Sequence, residues 1–127
     1  MDVLMDSHAF IWWASSPAKL SPAALTACRN PGVTLWLSMA SVWEIQIKHQ
    51  LGKLSLHQPL AQVIARQRKN RVRLLPIRLA HVLALETLPM HHRDPFDRLL
   101  IAQATAEKAM LLSKDPAFTR YAVALLW

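Results

Sequence analysis

Glycine is nearly absent from this chain: Gly32 and Gly52 are the only two in 127 residues. A loop that wraps its backbone around phosphates needs several, so neither a dinucleotide fingerprint nor a P-loop is present. Cysteine is scarcer still. The lone Cys28 excludes an internal disulfide, and no Cys-x-x-Cys pair offers a zinc site, so it reads as a small buried hydrophobe. No apolar run reaches the ~18 residues that span a bilayer. The short apolar stretch after Met1-Asp2 lacks the basic flank of a secretory signal. The cytoplasm is therefore the expected location, with no membrane contact. Acids are the third scarcity. There are eight, Asp2, Asp6, Glu44, Glu86, Asp94, Asp97, Glu107 and Asp115, against 15 Lys and Arg, for a net charge of +7. A basic surface draws polyanions, and nucleic acid is the commonest large one. With so few acids, each one beside an apolar segment asks for a reason.

What is present is a core and a rhythm. At 53% hydrophobic and 18% charged, the chain can bury a real interior, and its length fits one domain, residues 1–127. Asp2-Val3-Leu4-Met5-Asp6 reads as a buried parallel strand. An apolar helix follows from Ser7 and stops at Ser15-Ser16-Pro17. Ser21-Pro22 caps a second helix that runs toward Asn30. Val33 to Ser38 alternates as a strand, and Met39 to Leu51 is a helix closed by Gly52 in the left-handed C′ position. Helix from Pro59 to about Asn70, strand from Val72 to Pro76 and helix from Arg78 to Leu88 follow. Pro89 to Arg93 is a loop. Asp94-Pro95 opens a long helix to about Ala109, and Met110 to Ser113 is a strand. Asp115-Pro116 starts a short helix before a fifth strand over Val123–Leu126. No repeat, low-complexity tract or linker interrupts this alternation. It predicts an open, mostly parallel α/β sheet with helices on both faces.

In such sheets ligands sit beyond the carboxyl ends of the strands. Asp6 ends the first strand, Glu44 lies in the helix after the second, Asp97 opens the long helix, and Asp115 follows the fourth strand. Carboxylates gathered at one edge repel unless a cation neutralises them, and their oxygens favour hard ions such as Mg²⁺ or Mn²⁺. Each acid also has an ordinary structural reading. Asp6, Asp94 and Asp115 suit N-caps, Asp97 suits the positive end of a helix dipole, and Glu44 sits i, i+4 from Lys48.

Four segments decide between these readings. Leu4-Met5-Asp6-Ser7-His8-Ala9 resembles the Leu-Leu-Asp-Thr-His-Ala opening of a PIN-domain subfamily. Ser38-Met39-Ala40-Ser41-Val42-Trp43-Glu44-Ile45 resembles its Ser-x-x-Ser-x-Trp-Glu-Ile segment, followed by Leu51-Gly52-Lys53-Leu54. His91-His92-Arg93-Asp94-Pro95-Phe96-Asp97-Arg98-Leu99-Leu100-Ile101-Ala102-Gln103-Ala104 resembles its most specific motif almost residue for residue. Leu112-Ser113-Lys114-Asp115 resembles its fourth acidic segment, and the blocks fall in consistent order from Leu4 to Trp127. The resemblance, to VapC-type toxins of type II toxin–antitoxin systems, implies a PIN fold and a Mg²⁺- or Mn²⁺-dependent endoribonuclease. It also implies a cognate antitoxin and a homodimer. Carried over by position, Asp6, Glu44, Asp97 and Asp115 form the acidic cluster. Asp6 and Asp97 are expected to bind metal directly, Glu44 to bind it or to orient water, and Asp115 to act through water or at a second metal position. Ser7, Ser41, His92, Arg93 and Ser113 are candidate phosphate or substrate contacts. Ser7 and Ser113 stand where Thr is usual and keep the hydroxyl; Lys114 is less expected.

Asp94 and Asp97 are expected to diverge, Asp94 as the N-cap and Asp97 free to reach a metal. Arg66 to Arg73 is the densest basic stretch, either a solvated helix end or a track for an RNA backbone. Trp12, Trp13, Trp36 and Trp43 are expected in the core. Rival functions fit less well. A phosphotransfer receiver needs an Asp after a central strand, where Leu74-Leu75-Pro76 has none. A haloacid-dehalogenase-type phosphatase needs an acid two residues after Asp6, where His8 stands. Nucleases of the 5′-flap type usually carry more acids and helices than 127 residues hold. A catalytically silent PIN-fold module remains the alternative to an enzyme.

Overall fold

Val3 and Met5 face one side of the first strand and Leu4 the other, and all three are fully buried. A strand sealed on both faces belongs in the middle of a parallel sheet. The computed structural model, which describes residues 1–127, places it there. Five strands, β1 (Asp2–Met5), β2 (Thr34–Ser38), β3 (Val72–Leu75), β4 (Met110–Leu112) and β5 (Leu125–Leu126), form one sheet in the order β3-β2-β1-β4-β5. Every pairing is parallel. Six helices connect them: α1 (Ser7–Ser15), α2 (Pro22–Arg29), α3 (Met39–Gln50), α4 (Leu60–Lys69), α5 (Leu79–Ala84) and α6 (Pro95–Ala106).

The pleat divides the core in two. Val3, Met5, Leu35, Leu37, Val72 and Leu112 pack with Phe10 of α1, Ala24 and Cys28 of α2 and Ile45 of α3. Leu4, Leu75 and Leu111 pack on the other face with Leu100, Ile101 and Ala104 of α6 and with Phe118 and Tyr121. The expected open sheet with helices on both faces is thus observed. Cys28 is buried as expected, and burial pushes its thiol up to about 11, which keeps it protonated.

The chain winds outward from β1 to β2 to β3, then crosses back to β4 on the other side of β1. The crevice between β1 and β4 is therefore the topological switch point, and the carboxyl ends of those two strands carry Asp6 and the Ser113–Asp115 turn. Arg66 to Arg73 spans the end of α4 and the start of β3, so its distal part lies at the opposite, amino-terminal edge. No residue of the basic stretch lines the acidic cleft.

Some boundaries differ from expectation. β5 shrinks to two residues, and Arg78–Leu88 splits into α5 and a 3₁₀ turn at Leu85–Thr87. α6 stops at Ala106 because Lys108 takes φ +54°, a left-handed conformation that sequence rules reserve for glycine. Gly52 does end α3 as expected. It has φ +72°, Lys53 N donates to Lys48 O at 2.9 Å, and Gly52 N donates to His49 O at 3.1 Å, the two bonds of a Schellman motif.

A Cβ at Gly52 would meet no atom within 4 Å, so substitution there tests backbone conformation alone. Gly52→Ala is expected to lower stability by about 1 kcal/mol in urea titration.

Candidate metal centre

Five of the chain's eight acids, Asp6, Glu44, Asp94, Asp97 and Asp115, line one open cleft of about 600 Å³ beyond the carboxyl ends of β1 and β4. Ser7, His8, Trp12, Lys48, His92, Lys114 and Pro116 complete its walls.

Asp6 is fixed first. Its backbone N donates to Leu112 O at 3.0 Å, extending the β1–β4 ladder by one residue. Its Oδ1 accepts from Ala9 N at 2.8 Å as the N-cap of α1. The cap and the site are therefore one residue. Burial raises the Asp6 carboxyl above its ordinary value and nearby Asp115 adds to this, while the Ser113 hydroxyl, the Ala9 amide and His8 work against it.

Glu44 is buried on α3. It accepts from the Ser7 hydroxyl, and Lys48 Nζ lies 3.5 Å from its Oε2. The i, i+4 pair expected on a solvated face instead points into the cleft. Ser7 thus holds Glu44.

Asp94 caps α6, its Oδ1 accepting from Phe96 N at 2.8 Å and from Asp97 N at 3.3 Å. The cap is as expected, but the divergence from Asp97 is not. Glu44, Asp94 and Asp97 offer carboxylate oxygens that all lie within 4.8 Å of one another. The N-cap residue is extended, with φ −66° and ψ 115°, so the helical angular spacing does not apply to it. Nor is the Asp97 side chain unattached: its Oδ2 lies 2.8 Å from His92 Nε2. Burial, then the charge of Asp94, push the Asp97 carboxyl up to about 6, with Glu44 adding and His92 opposing.

Asp115 is exposed and caps the 3₁₀ turn Pro116–Arg120, its Oδ1 accepting from Ala117 N at 2.9 Å. Its own N donates to the buried Ser113 hydroxyl at 3.0 Å. His92 Nε2 and oxygens of Asp97 and Asp115 form a second close group. Ser41 is fully buried and its hydroxyl has no partner; Arg93 is exposed; neither lines the cleft. Trp43 is 62% exposed rather than buried, set edge-on to Phe96.

Sequence reasoning passed over Lys48 as a cation on the cleft wall beside Lys114, His8 as a lining residue, and Asp94 as a member of the cluster. It also passed over Arg98, whose buried guanidinium donates to Pro89 O at 2.8 Å and to Leu88 O at 3.3 Å. Buried Arg with no acidic partner has no spacing signal.

The donor set suits a hard divalent cation: oxygen ligands at close range, with two carboxyls raised chiefly by burial and further by neighbouring carboxylates. A PIN-domain family description matches residues 3–124, so the chain belongs to the PIN-domain family. Ribonuclease VapC22 of Mycobacterium tuberculosis (strain ATCC 25618 / H37Rv) is 31% identical over 119 residues, covering 89% of this chain and 86% of that relative. Solved structures share the fold. VapBC2 from Rickettsia felis, bound to a DNA fragment from its promoter, gives a TM-score of 0.68 at 14% identity over 98% of this chain and 96% of that one. VapBC-1 from nontypeable Haemophilus influenzae gives 0.65 at 21% identity over 94% and 92%.

Asp97 holds its proton more tightly in the folded chain than in the unfolded one, where it titrates near 3.8. Between about pH 4 and 6 the native state binds more protons, so metal-free stability falls as pH rises through that window. Asp97→Asn should flatten this slope and raise metal-free stability at neutral pH by at most about 3 kcal/mol. Asp94→Ala should instead lower it by roughly 0.5–2 kcal/mol through the lost cap. Chemical denaturation in EDTA from pH 4 to 7.5 checks both.

Proposed function

We propose that this chain is a divalent-metal-dependent endoribonuclease and the toxin half of a toxin–antitoxin pair. The observation that carries the reading is the convergence of five scarce acids at the switch point of a basic α/β protein. Asp6 and Asp97 hold Mg²⁺ or Mn²⁺ directly. Glu44, fixed by Ser7 and Lys48, either binds the ion or orients the attacking water, and Asp115 acts through water or at a second position. The bound ion supplies charge stabilisation to a phosphodiester and lowers the pKa of water. Lys48 and Lys114 give the cleft its cations for RNA phosphate, with His8 beside them. The ribonuclease name of the 31%-identical relative supports RNA as substrate.

The toxin–antitoxin complexes among its structural neighbours support an antitoxin partner. A groove of about 300 Å³ between α1 and α4, with Phe10, Ile11, Leu60 and Val63 on its apolar side and Gln58 and Arg66 on its polar side, is a candidate seat for one of its segments. A homodimer is the second expected assembly. Leu79, Val82 and Leu83 of α5 and the nearby Ile77 and Met90 are all exposed, an apolar face that a second copy would cover.

Purified protein should cut RNA with Mg²⁺ or Mn²⁺ and stop with EDTA. Full activity in EDTA after exhaustive dialysis would sink the reading. Expressed alone, the chain should slow growth, and Asp6→Asn should relieve this without unfolding; equal toxicity would place the harm outside this chemistry. Light scattering at micromolar concentration should give a dimer that Leu83→Glu converts to monomer.

A further inference from the structure

His92, Arg98 and Tyr121 are left over once the acids are assigned, yet they form one connected unit that ends on Asp97. Arg98 leaves α6 one residue after Asp97 and reaches back over the preceding loop, where its guanidinium donates to Pro89 O, Leu88 O and, at 3.4 Å, Leu85 O. A buried guanidinium cannot shed its proton, so these carbonyls are what satisfy it. The Tyr121 hydroxyl donates to Pro89 O at 2.9 Å and accepts from His92 N at 2.8 Å. The Leu85–His92 segment is thereby tied to α6 and to the chain beyond β4. Its last residue folds back so that the imidazole meets the Asp97 carboxylate at 2.8 Å.

The ring's two nitrogens are distinguishable. Nε2 lies 2.8 Å from Asp97 Oδ2 and donates to it, since an ionised carboxylate only accepts, while Nδ1 faces Asp94 N–H at the longer distance of 3.5 Å. His91, next in sequence, turns away and packs edge-on to the Tyr121 ring. The Phe118 ring lies edge-on to His92, 6.3 Å between centroids, and limits the ring's freedom on that side.

We propose that His92 is the positioning residue of the metal centre: its Nε2–H holds Asp97 Oδ2 and leaves Oδ1 for the ion, and the Tyr121–Arg98 brace holds His92. The inference rests on the metal-site reading and gives His92, read from the sequence as a phosphate contact, a positioning role instead, with Arg98 and Tyr121 behind it. A carboxylate with one oxygen tied has lost most of its rotational freedom before the ion arrives, which favours binding. It also explains why the arginine follows the acid directly: from that position one side chain reaches the loop that returns the histidine.

Two readouts test this on the full chain. In metal-free protein, NMR should show a His92 Nε2–H resonance protected from exchange with water, lost in Asp97→Ala and weakened in Tyr121→Phe. Calorimetric titration with Mn²⁺ should show affinity falling roughly 10- to 100-fold in His92→Ala. His92→Gln, whose amide can donate to the same oxygen, should recover most of it, and the thermal melts of both variants should stay cooperative. Unchanged Mn²⁺ affinity in His92→Ala, or a glutamine variant as weak as the alanine one, would overturn the proposal, as would a freely exchanging ring proton in the wild type. If wild-type protein binds no Mn²⁺ at all, the metal-site reading fails, and the ring-proton measurement alone decides whether His92 holds Asp97.

Discussion

Carboxylates crowded at the rim of a low-dielectric core repel one another, and much of the cleft is organised against that repulsion. Two of the five acids are raised above their ordinary range, and burial is the largest cause for each. Burial alone would simply protonate them. Instead each is offered donors: an amide from the start of α1 to Asp6, the Ser7 hydroxyl and Lys48 to Glu44, two amides of α6 to Asp94, the imidazole to Asp97 and a 3₁₀-turn amide to Asp115. These donors suffice to hold the carboxylates in place and not to neutralise them. The remaining negative charge is what a divalent cation would neutralise.

Three of those donor sets are helix or turn starts, which couples the site to the fold. The partial positive charge of α1 and α6 falls where the acids gather, and the same residue that starts a helix supplies its carboxylate to the cleft. Most of the acidic cluster thus sits on elements that the apolar core fixes from behind: β1 and β4 through Leu4 and Leu111, α6 through Leu100 and Ile101, and α3 through Ile45. Rigid support of this kind keeps the oxygens close in spite of their mutual repulsion.

Local rules carried far along this chain. The apolar run of β1, the alternation of β2, the Ser21 and Asp94 caps and the Gly52 stop were legible because each depends on near neighbours in the chain. Asp6, Glu44, Asp97 and Asp115 stood out because acids are rare here, but it was the resemblance to PIN-domain motifs that singled them out as a cluster. The end of α6 was not legible, because Lys108 accepts a left-handed backbone without the glycine that would have announced it. Trp43 was placed in the core by composition, and the structure leaves it on the surface of α3, since an aromatic residue alone does not say which face of a helix is covered.

By itself the sequence determined the kinds of element, their order and the two-faced core, since apolar pattern and capping chemistry are written residue by residue, and its motifs named four acids as candidates. Only the tertiary structure decided which groups meet. It brought Asp94 into the cluster, turned Glu44 and Lys48 inward, carried the distal end of the basic stretch to the far edge of the sheet, and closed the loop that sets His92 on Asp97. The reason is that strands β1 and β4, distant in the chain, become neighbours only when the crossover from β3 is complete. Contacts across that crevice are made by long-range closure, which no short-range spacing encodes.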